Sequence, residues 1–316
     1  MRAVLDGDAG VLRTVPASTE TENPSWIHMH PNGHTLYAVE EGDPAGHVVR
    51  LEPCPDGWHV VQRMQTEGSP CHLAMDEQRE FLFVSNYSSG SLGVFRLDGD
   101  GAIVEMTEML HHSGHGPNPE RQEGPHVHSA FCSGETVYVA DLGLDSIFVY
   151  DLNRQDGTLA ERMRIPVEQG AGPRHMVLAP GHPGTMYVVG ELSGNVYQLD
   201  LKKGCCISRE RIIPEDYLDD ARVSAIRVCG STVYIGCREC NSVTMFDIRE
   251  DGSLGGRVFY PHAQETPRDV WMNENWCITA DEGSFGLTLL RREGKHLSQV
   301  SFTATPGVKP TCILPL

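Results

Sequence analysis

Short apolar stretches separated by polar turns recur along the whole chain, and residues 124–151, GPHVHSAFCSGETVYVADLGLDSIFVYD, show this pattern most clearly. Residues 137–140 and 147–150 are β-branched or aromatic and are bounded by Gly, Asp and Ser, which predicts two buried strands joined by a tight turn. His126 and His128 precede the first of these strands. Because the two histidines are two positions apart, an extended backbone places both side chains on the same side.

The same order of elements repeats: a small or Pro-containing start, a strand, a turn, a second strand ending in a polar residue, a third strand and a weaker fourth one. The repeats begin at Pro24, Pro70, Pro125, Pro173, Val223, Pro267 and Pro310. They are roughly 43 to 55 residues apart, close to the length that four short strands and their turns require. No segment shows a sustained 3.6-residue period. The pattern predicts an all-β fold, a seven-bladed β-propeller of four-stranded antiparallel blades, as one domain over residues 1–316.

The seventh repeat is short, because it begins at Pro310 and the chain has only six residues after it. A closed ring requires that the N-terminal residues complete this blade. Residues 1–19 are long enough for about two strands. We therefore expect the seventh blade to be formed by both termini and to lack one strand.

The composition narrows the possible functions. The chain has 25 Lys and Arg against 43 Asp and Glu, a net charge of −18, so nucleic acid and anionic membranes are not expected partners. The sequence contains neither an apolar run of membrane-spanning length nor an N-terminal signal-peptide core, which predicts a cytoplasmic protein. We expect a monomer or a weak homo-oligomer.

Ten cysteines are scattered along the chain, apart from the adjacent pair Cys205 and Cys206 and the CxxC spacing of Cys237 and Cys240. A single CxxC without a second pair is weak support for zinc, so reduced, packed thiols are the preferred interpretation. The longest insertion, residues 111–123, carries three histidines but is rich in Pro and Gly, and a flexible surface loop is preferred over a metal site.

Charged and polar side chains recur at two positions of the repeats. One position is the start of the first strand, with Trp26, Cys71, His126, His128, Arg174, His175, Arg222 and Arg268. The other follows the second strand, with Glu40, Glu41, Asn86, Tyr87, Asp141, Glu191, Cys237, Arg238, Asp281 and Glu282. Since propeller blades converge on a central channel, we expect equivalent positions to form rings that line one pocket.

The chain resembles the propeller lactonase family in residues 124–151 and in two further stretches, GAGPRHMVLAPGHPGTMYVVGELSGNV and SPCHLAMDEQREFLFVSNYSSGSLGVF. This family includes propeller-type 6-phosphogluconolactonases and the fungal 3-carboxy-cis,cis-muconate lactonizing enzyme. The resemblance implies a lactonase without a cofactor, with His128, Arg174 and Glu191 as catalytic residues. Four further residues are assigned to substrate binding: Arg268, His126, His175 and Asn86. Of the two histidines, His126 is expected at the more exposed position.

These residue types suit the opening of a sugar lactone. Glu191 or His128 is a candidate general base that activates water. Arg174 and Arg268 each offer a planar set of donors to a phosphate, a carboxylate or a developing oxyanion. The expected substrate is a small lactone, most simply 6-phosphogluconolactone. Because the same groups suit ring closure of a muconate, residue types alone leave the direction of reaction open.

Two other classes of function are compatible with the sequence. A metal-dependent sugar lactonase would use Glu40, Asn86, Asp141 and Asp281 as ligands. However, Asp141 also recurs with Asp145 as a turn residue that shapes the blade. A non-catalytic propeller that binds protein partners would need an aromatic, apolar face, and aromatic residues make up only 7% of the chain.

Overall fold

The predicted apolar stretches form the strands. The structure is a computed structural model that describes residues 2–15, 21–215 and 222–315. The first fourteen strands are β1 (Arg2–Asp6), β2 (Val11–Val15), β3 (Pro24–Met29), β4 (Leu36–Glu40), β5 (His47–Cys54), β6 (Gly57–Gln65), β7 (Pro70–Met75), β8 (Phe81–Asn86), β9 (Ser91–Leu97), β10 (Ile103–His111), β11 (Val127–Ser133), β12 (Thr136–Asp141), β13 (Ser146–Asn153) and β14 (Thr158–Pro166).

Twelve further strands continue the same order. They are β15 (Pro173–Ala179), β16 (His182–Gly190), β17 (Asn195–Asp200), β18 (Cys205–Arg211), β19 (Val223–Cys229), β20 (Thr232–Cys237), β21 (Ser242–Ile248), β22 (Leu254–Pro261), β23 (Pro267–Met272), β24 (Trp276–Asp281), β25 (Gly286–Glu293) and β26 (His296–Ala304). In the described part of the chain, no helix is long and apolar enough to cross a membrane.

The strands from β3 onward form six four-stranded antiparallel sheets, each from consecutive strands in chain order. Five of the predicted repeat starts coincide with the first residue of a first strand. The third sheet differs slightly, because its first strand begins at Val127 instead of Pro125, next to a register shift between Val127 and Ser129. The prediction of consecutive four-stranded blades is therefore confirmed for six sheets.

The chain divides into two compact units, Ala17–Arg174 and Met1–Pro16 with His175–Leu316. The prediction of one domain over residues 1–316 stays a prediction. In the first unit, the strand β7 packs against the first strands of both neighbouring sheets, β3 and β11. In the second unit, β19 packs against β23 in the same way. Packing through first strands is the arrangement of propeller blades.

The hydrophobic core lies between consecutive sheets of each unit. In the first unit, Phe81 and Phe83 pack with Val137 and Phe148 of the next sheet, all essentially buried. In the second unit, one core joins the fourth and fifth sheets and another joins the fifth and sixth. Each sheet therefore buries both faces, which explains why its inner three strands read as nearly continuous apolar runs.

Both termini pack on the sixth sheet. The strands β1 and β2 form a separate two-stranded sheet, which agrees with the expected length of two strands. Leu12 and Ile313 contact the cluster around Trp276. The strand expected from Pro310 is not found, since the described residues 305–315 include no strand. That segment is instead held by side chains, because Asp269 accepts a hydrogen bond from the backbone N of Ile313 at 2.7 Å.

The residue that ends the second strand lies opposite the first residue of the first strand in five sheets. These residues are Glu40, Asn86, Asp141, Cys237 and Asp281. All five are buried, so the repeat alignment identified equivalent positions correctly. Three of them contact a residue that follows the fourth strand of the preceding sheet: Thr66 is hydrogen-bonded to Asn86 and His112 to Asp141, and His262 Nε2 lies 3.8 Å from Asp281. These side chains therefore connect neighbouring sheets.

Asp281→Asn is expected to change how stability depends on pH. Burial raises the pKa of Asp281 to about 6, so this group makes the folded protein less stable as pH rises from about 4 to 6. Burial lowers the pKa of His262, whose Nε2 is 3.8 Å from Asp281 Oδ1, to about 4. That group makes the folded protein more stable as pH rises from about 4 to 6.5, by about 3 kcal/mol in full.

The two contributions oppose each other in the wild type, and the variant retains only that of His262. The urea midpoint of Asp281→Asn should therefore rise more steeply between about pH 4 and 6.5 than that of the wild type. Asp100→Asn, a change at an exposed turn, is the matched control. A profile parallel to the wild type would show that Asp281 does not hold a proton in the folded protein.

Candidate active site

Two histidines at the start of β11 share one aromatic neighbour. The ring of Tyr87 stacks on His126, with centroids 4.4 Å apart and planes 11° apart. The same ring meets His128 edge to face at 5.6 Å. The prediction that both histidines lie on one side is confirmed. The expectation that His126 is the more exposed of the two is wrong, because the two residues are 6% and 7% exposed.

His126 is held on every side. Its backbone N donates to Asp141 Oδ1 at 2.8 Å, which fixes the start of the strand. Its Nδ1 is 3.0 Å from the carbonyl oxygen of Tyr87. Its Nε2 is 3.3 Å from Glu123 Oε1. A carbonyl and a carboxylate only accept hydrogen bonds, so both ring nitrogens of His126 face acceptors. This residue is therefore better placed to donate hydrogen bonds than to abstract a proton.

His128 lies between Tyr87 and Cys71. The Cys71 thiol donates to the carbonyl oxygen of His128 at 3.4 Å, and its sulfur is 3.9 Å from the Nδ1 of the same residue. Both neighbours come from the preceding sheet, since Cys71 is on its first strand and Tyr87 follows its second. The His128 ring is thus oriented by two residues of the neighbouring sheet, as a general base requires.

Arg174 occupies the corresponding start of β15 and is 3% exposed. Its carbonyl oxygen accepts a 2.6 Å hydrogen bond from the hydroxyl of Ser129, the residue after His128. The backbone segments that carry His128 and Arg174 are therefore tied together. His175, the next residue, is also buried.

Glu191 directly follows β16 and is nearly buried. Arg238, in the turn after β20, places its Nη2 2.9 Å from Glu191 Oε2. A guanidinium at this distance forms an ion pair with the carboxylate of Glu191. The repeats place Arg238 directly after a second strand, among the candidate site positions. They did not predict that this side chain pairs with Glu191.

The remaining predicted site residues have structural partners. Arg268 Nη1 is 3.2 Å from Glu282 Oε2, in a pair that is partly exposed on both sides. Asn86 has no exposed surface, and its amide is bonded to Thr66 Oγ1 at 2.9 Å and to Ser91 Oγ at 3.1 Å. Binding of substrate by Asn86 stays a prediction, which this packing does not favour.

The insertion after β10 is anchored instead of being a simple surface loop. His112 is buried; its Nδ1 is 2.6 Å from Asp141 Oδ2, and its Nε2 accepts from the Tyr150 hydroxyl at 2.9 Å. Gln122 is fully buried and donates to the carbonyl oxygen of Leu142 at 2.8 Å. The surface interpretation is wrong for these two side chains.

The anchored loop brings charged groups to the histidines that sequence reasoning did not identify. Arg121 Nη2 donates to the Tyr87 hydroxyl at 3.4 Å, and Glu123 contacts His126.

Asp141 and Asp145 act as turn-shaping residues, as expected. Asp141 accepts a hydrogen bond from the backbone N–H of Gly143 at 2.9 Å, and Asp145 accepts one from the backbone N–H of Gly172 at 2.8 Å.

Metal ligation finds little support. Across residues 2–15, 21–215 and 222–315, no group of three or more His, Cys, Asp or Glu is arranged to hold a metal ion. The four residues considered as ligands have other partners. Glu40 pairs with Arg63, whose Nε is 2.9 Å from Oε2, and the Asp281 carboxylate accepts from the Thr288 hydroxyl. Asn86 and Asp141 hold the contacts described above.

Replacing Tyr87 by Leu is expected to lower catalytic efficiency by roughly tenfold, since small misplacements of reacting groups are costly. The change removes the stacking surface of His126 and the edge contact of His128, which are worth about 0.5–1.5 kcal/mol for such ring pairs. The matched control is Tyr87→Phe, which keeps the ring and loses only the long bond to Arg121. Steady-state kinetics on both variants check this, and equal rates in the Leu variant and the wild type would contradict it.

Comparisons with known proteins agree with this architecture. A sequence model of the family described as "Lactonase, 7-bladed beta-propeller" matches residues 1–315. The chain is 30% identical to the 6-phosphogluconolactonase of Bacillus subtilis, over 98% of this chain and 92% of that protein. A solved structure of a Lactobacillus plantarum protein superposes with a TM-score of 0.88 at 28% identity, covering 98% of this chain and 93% of the other. The periplasmic gluconolactonase of Pseudomonas aeruginosa superposes at 0.90 with 22% identity, over the same shares of the two chains.

Proposed function

This chain belongs to the seven-bladed β-propeller lactonase family, and on that premise we propose that it hydrolyses 6-phosphogluconolactone to 6-phosphogluconate. The observation that carries the proposal is the 30% identity to the Bacillus subtilis 6-phosphogluconolactonase, which extends over 98% of this chain. Cationic side chains within the first unit, Arg121 beside Tyr87 and the buried Arg174, suit a phosphorylated substrate.

The roles of the residues follow from their contacts. Water attacks the lactone carbonyl carbon while a base removes its proton. As the ring C–O bond breaks, that proton passes to the departing ring oxygen, which becomes a hydroxyl group, and the new carboxylic acid then loses its remaining proton to solvent. His128, oriented by Tyr87 and Cys71, is one candidate base. Glu191, paired with Arg238, is the other. Arg174 is assigned to the developing oxyanion, where a donor contributes about 3–4 kcal/mol.

Substrate binding is assigned to side chains that donate hydrogen bonds. His126, whose two ring nitrogens face acceptors, is assigned to bind the substrate through a ring N–H beside Tyr87. Arg268 binds the phosphate by exchanging its partly exposed partner Glu282 for the substrate. His175 and Asn86 are retained as substrate contacts only from their positions in the repeats.

The seventh blade is proposed to consist of the β1–β2 hairpin and the C-terminal segment. Two contacts support this assignment. Thr303 of β26 donates its hydroxyl hydrogen to the carbonyl oxygen of Leu12 at 2.9 Å, which attaches the hairpin to the sixth sheet. Asp269, itself paired with Arg227 at 2.7 Å, holds Ile313. In this arrangement the blade has two strands, fewer than the three predicted.

The proposal is tested by measuring hydrolysis of freshly prepared 6-phosphogluconolactone by the purified protein, with and without a chelator. The expected result is acceleration over the spontaneous reaction that the chelator does not affect. Loss of activity with the chelator would favour a metal-dependent lactonase. Activity on a carboxymuconate and none on the lactone would favour a cycloisomerase, and activity on neither would favour a binding platform.

A further inference from the structure

The turn between β20 and β21 holds two cysteines that the proposed hydrolysis does not use. Cys237 is the last residue of β20 and has no exposed surface, while Cys240 lies in the turn and is 5% exposed. Both are free of disulfide bonds. The CxxC spacing is weak support for zinc, and no group of three or more such ligands occurs among the residues that the structure describes.

The two thiols are not equivalent. A hydrogen bond from the Cys237 thiol to the Cys240 sulfur lowers the pKa of Cys240, and it raises the pKa of Cys237, which burial raises further. The hydroxyl of Ser242 donates a second hydrogen bond to the Cys240 sulfur at 3.4 Å. Burial and the nearby carboxylate of Glu239 oppose ionisation of Cys240, but the donors to its sulfur outweigh them. Cys240 is also the less buried of the two thiols and accepts the Ser242 hydrogen bond, so we assign it as the nucleophilic sulfur and Cys237 as the thiol that attacks it in turn.

The same turn holds the counter-ion of Glu191. Arg238 lies between the two cysteines, and its Nη2 is 2.9 Å from Glu191 Oε2. Its Nε donates to the carbonyl oxygen of Arg222 at 3.2 Å, and its backbone N donates to the same oxygen at 3.1 Å. The position of the guanidinium thus depends on the backbone of a turn that the two sulfurs bracket.

We propose that Cys237 and Cys240 form a redox-active dithiol that a small-molecule disulfide, of the class of glutathione disulfide, oxidises to an intramolecular disulfide. The Cys240 thiolate attacks one sulfur of the small molecule and expels the other as a thiolate, which leaves a mixed disulfide on Cys240. Cys237 then loses its proton to solvent, attacks the Cys240 sulfur and expels the second small thiolate. Two protein thiols are oxidised, and one disulfide is reduced to two thiols.

Formation of the bond changes the turn. The two sulfurs must move from hydrogen-bonding contact to a bond length of about 2.05 Å with a fixed torsion. Arg238 and Glu239 form the short backbone link between them, so the arginine is displaced from Glu191. The effect on activity rests on the proposed role of Glu191, whereas the thiol chemistry does not.

The test incubates the full chain in buffers of graded reduced and oxidised glutathione, blocks the remaining thiols by alkylation and determines the mass of the peptide that contains residues 237–240. We expect this peptide to lose two hydrogens and both alkylation sites as the oxidised fraction increases. The adjacent pair Cys205 and Cys206, which is more exposed, is the internal control for general oxidation. Double alkylation of residues 237 and 240 throughout, or oxidation only in step with the control pair, would overturn the proposal.

Two variants determine the order of attack. Cys237→Ser should accumulate the mixed disulfide on Cys240, and Cys240→Ser should form neither the mixed nor the internal disulfide. A mixed disulfide that accumulates on Cys237 in the second variant, with none in the first, would overturn the assignment of the nucleophile. Because these measurements are masses, they do not depend on any lactonase activity.

A parallel assay links the dithiol to the active site. Catalytic efficiency of the wild type should fall roughly 10- to 100-fold as the disulfide forms, the range expected for a displacement of about 1 Å. It should recover with dithiothreitol and stay constant in Cys240→Ser. A disulfide that forms without this fall would overturn the link to Glu191, whereas an inactive reduced protein would contradict the proposed function and leave the dithiol assignment standing.

Discussion

Arg174→Met should lower kcat/KM for 6-phosphogluconolactone by at least about 10²- to 10³-fold, the loss typical of removing one donor to a developing oxyanion. Methionine fills much of the space of the buried arginine stem but offers no hydrogen-bond donor. The fold should persist, because the Ser129 hydroxyl bonds to the carbonyl oxygen of residue 174, which every substitution retains.

Steady-state kinetics and urea unfolding, both measured on the purified variant, distinguish a catalytic defect from misfolding. Arg162→Met, which removes an exposed guanidinium paired with Asp151 at 2.8 Å, is the matched control and should keep normal activity. Arg174→Lys restores a charge without the planar set of donors, so only partial recovery is expected. Wild-type kinetics in a folded Arg174→Met variant would remove Arg174 from the site.

Asp141→Ala should destabilise the protein by about 3–5 kcal/mol, the cost of breaking a buried, fully bonded charge. The carboxylate is completely buried, and its loss leaves buried donors without an acceptor. The donors are the backbone N–H groups of His126, Gly143 and Leu144 and the ring of His112, at 2.6–3.2 Å.

The urea midpoint measures this effect, and activity in dilute denaturant-free buffer measures its consequence for the site. Because Asp141 also fixes the start of β11, kcat/KM should fall in the fraction that remains folded. Asp156 lies in an exposed turn just before β14. Asp156→Ala should leave both the urea midpoint and kcat/KM near the wild-type values. A destabilisation below about 1 kcal/mol would contradict the structural role assigned to the residue.

The strand pattern was predictable because its causes are local. Each sheet is a run of adjacent antiparallel strands, so pairing partners are close in sequence and the turn residues between them are visible. The first strands at Pro24, Pro70 and Val223 begin where the repeats predicted. The failure at Pro310 has a different cause, because the C-terminal segment is held by Asp269 and not by a neighbouring strand.

The sequence predicted which positions of the repeats carry the candidate site residues, but not which side chains those residues contact. The repeats identified the residues that begin first strands and end second strands, and Tyr87 and Arg238 were among them. Their contacts to His126, His128 and Glu191 depend on which side chains adjacent sheets bring together. The same holds for His112, which reads as a loop residue and is in fact the buried partner of Asp141.

By itself, the sequence determined the number and order of the strands in six sheets, the positions that recur, and the family resemblance, because strand alternation, turn chemistry and repeats are properties of short stretches. The tertiary structure alone decided that Tyr87 contacts both histidines, that Arg238 pairs with Glu191 and that the Cys237 thiol hydrogen-bonds to Cys240. These contacts depend on strand twist, on the register shift after Val127 and on the path of long loops. Such features bring together residues whose spacing in the chain carries no signal of their meeting.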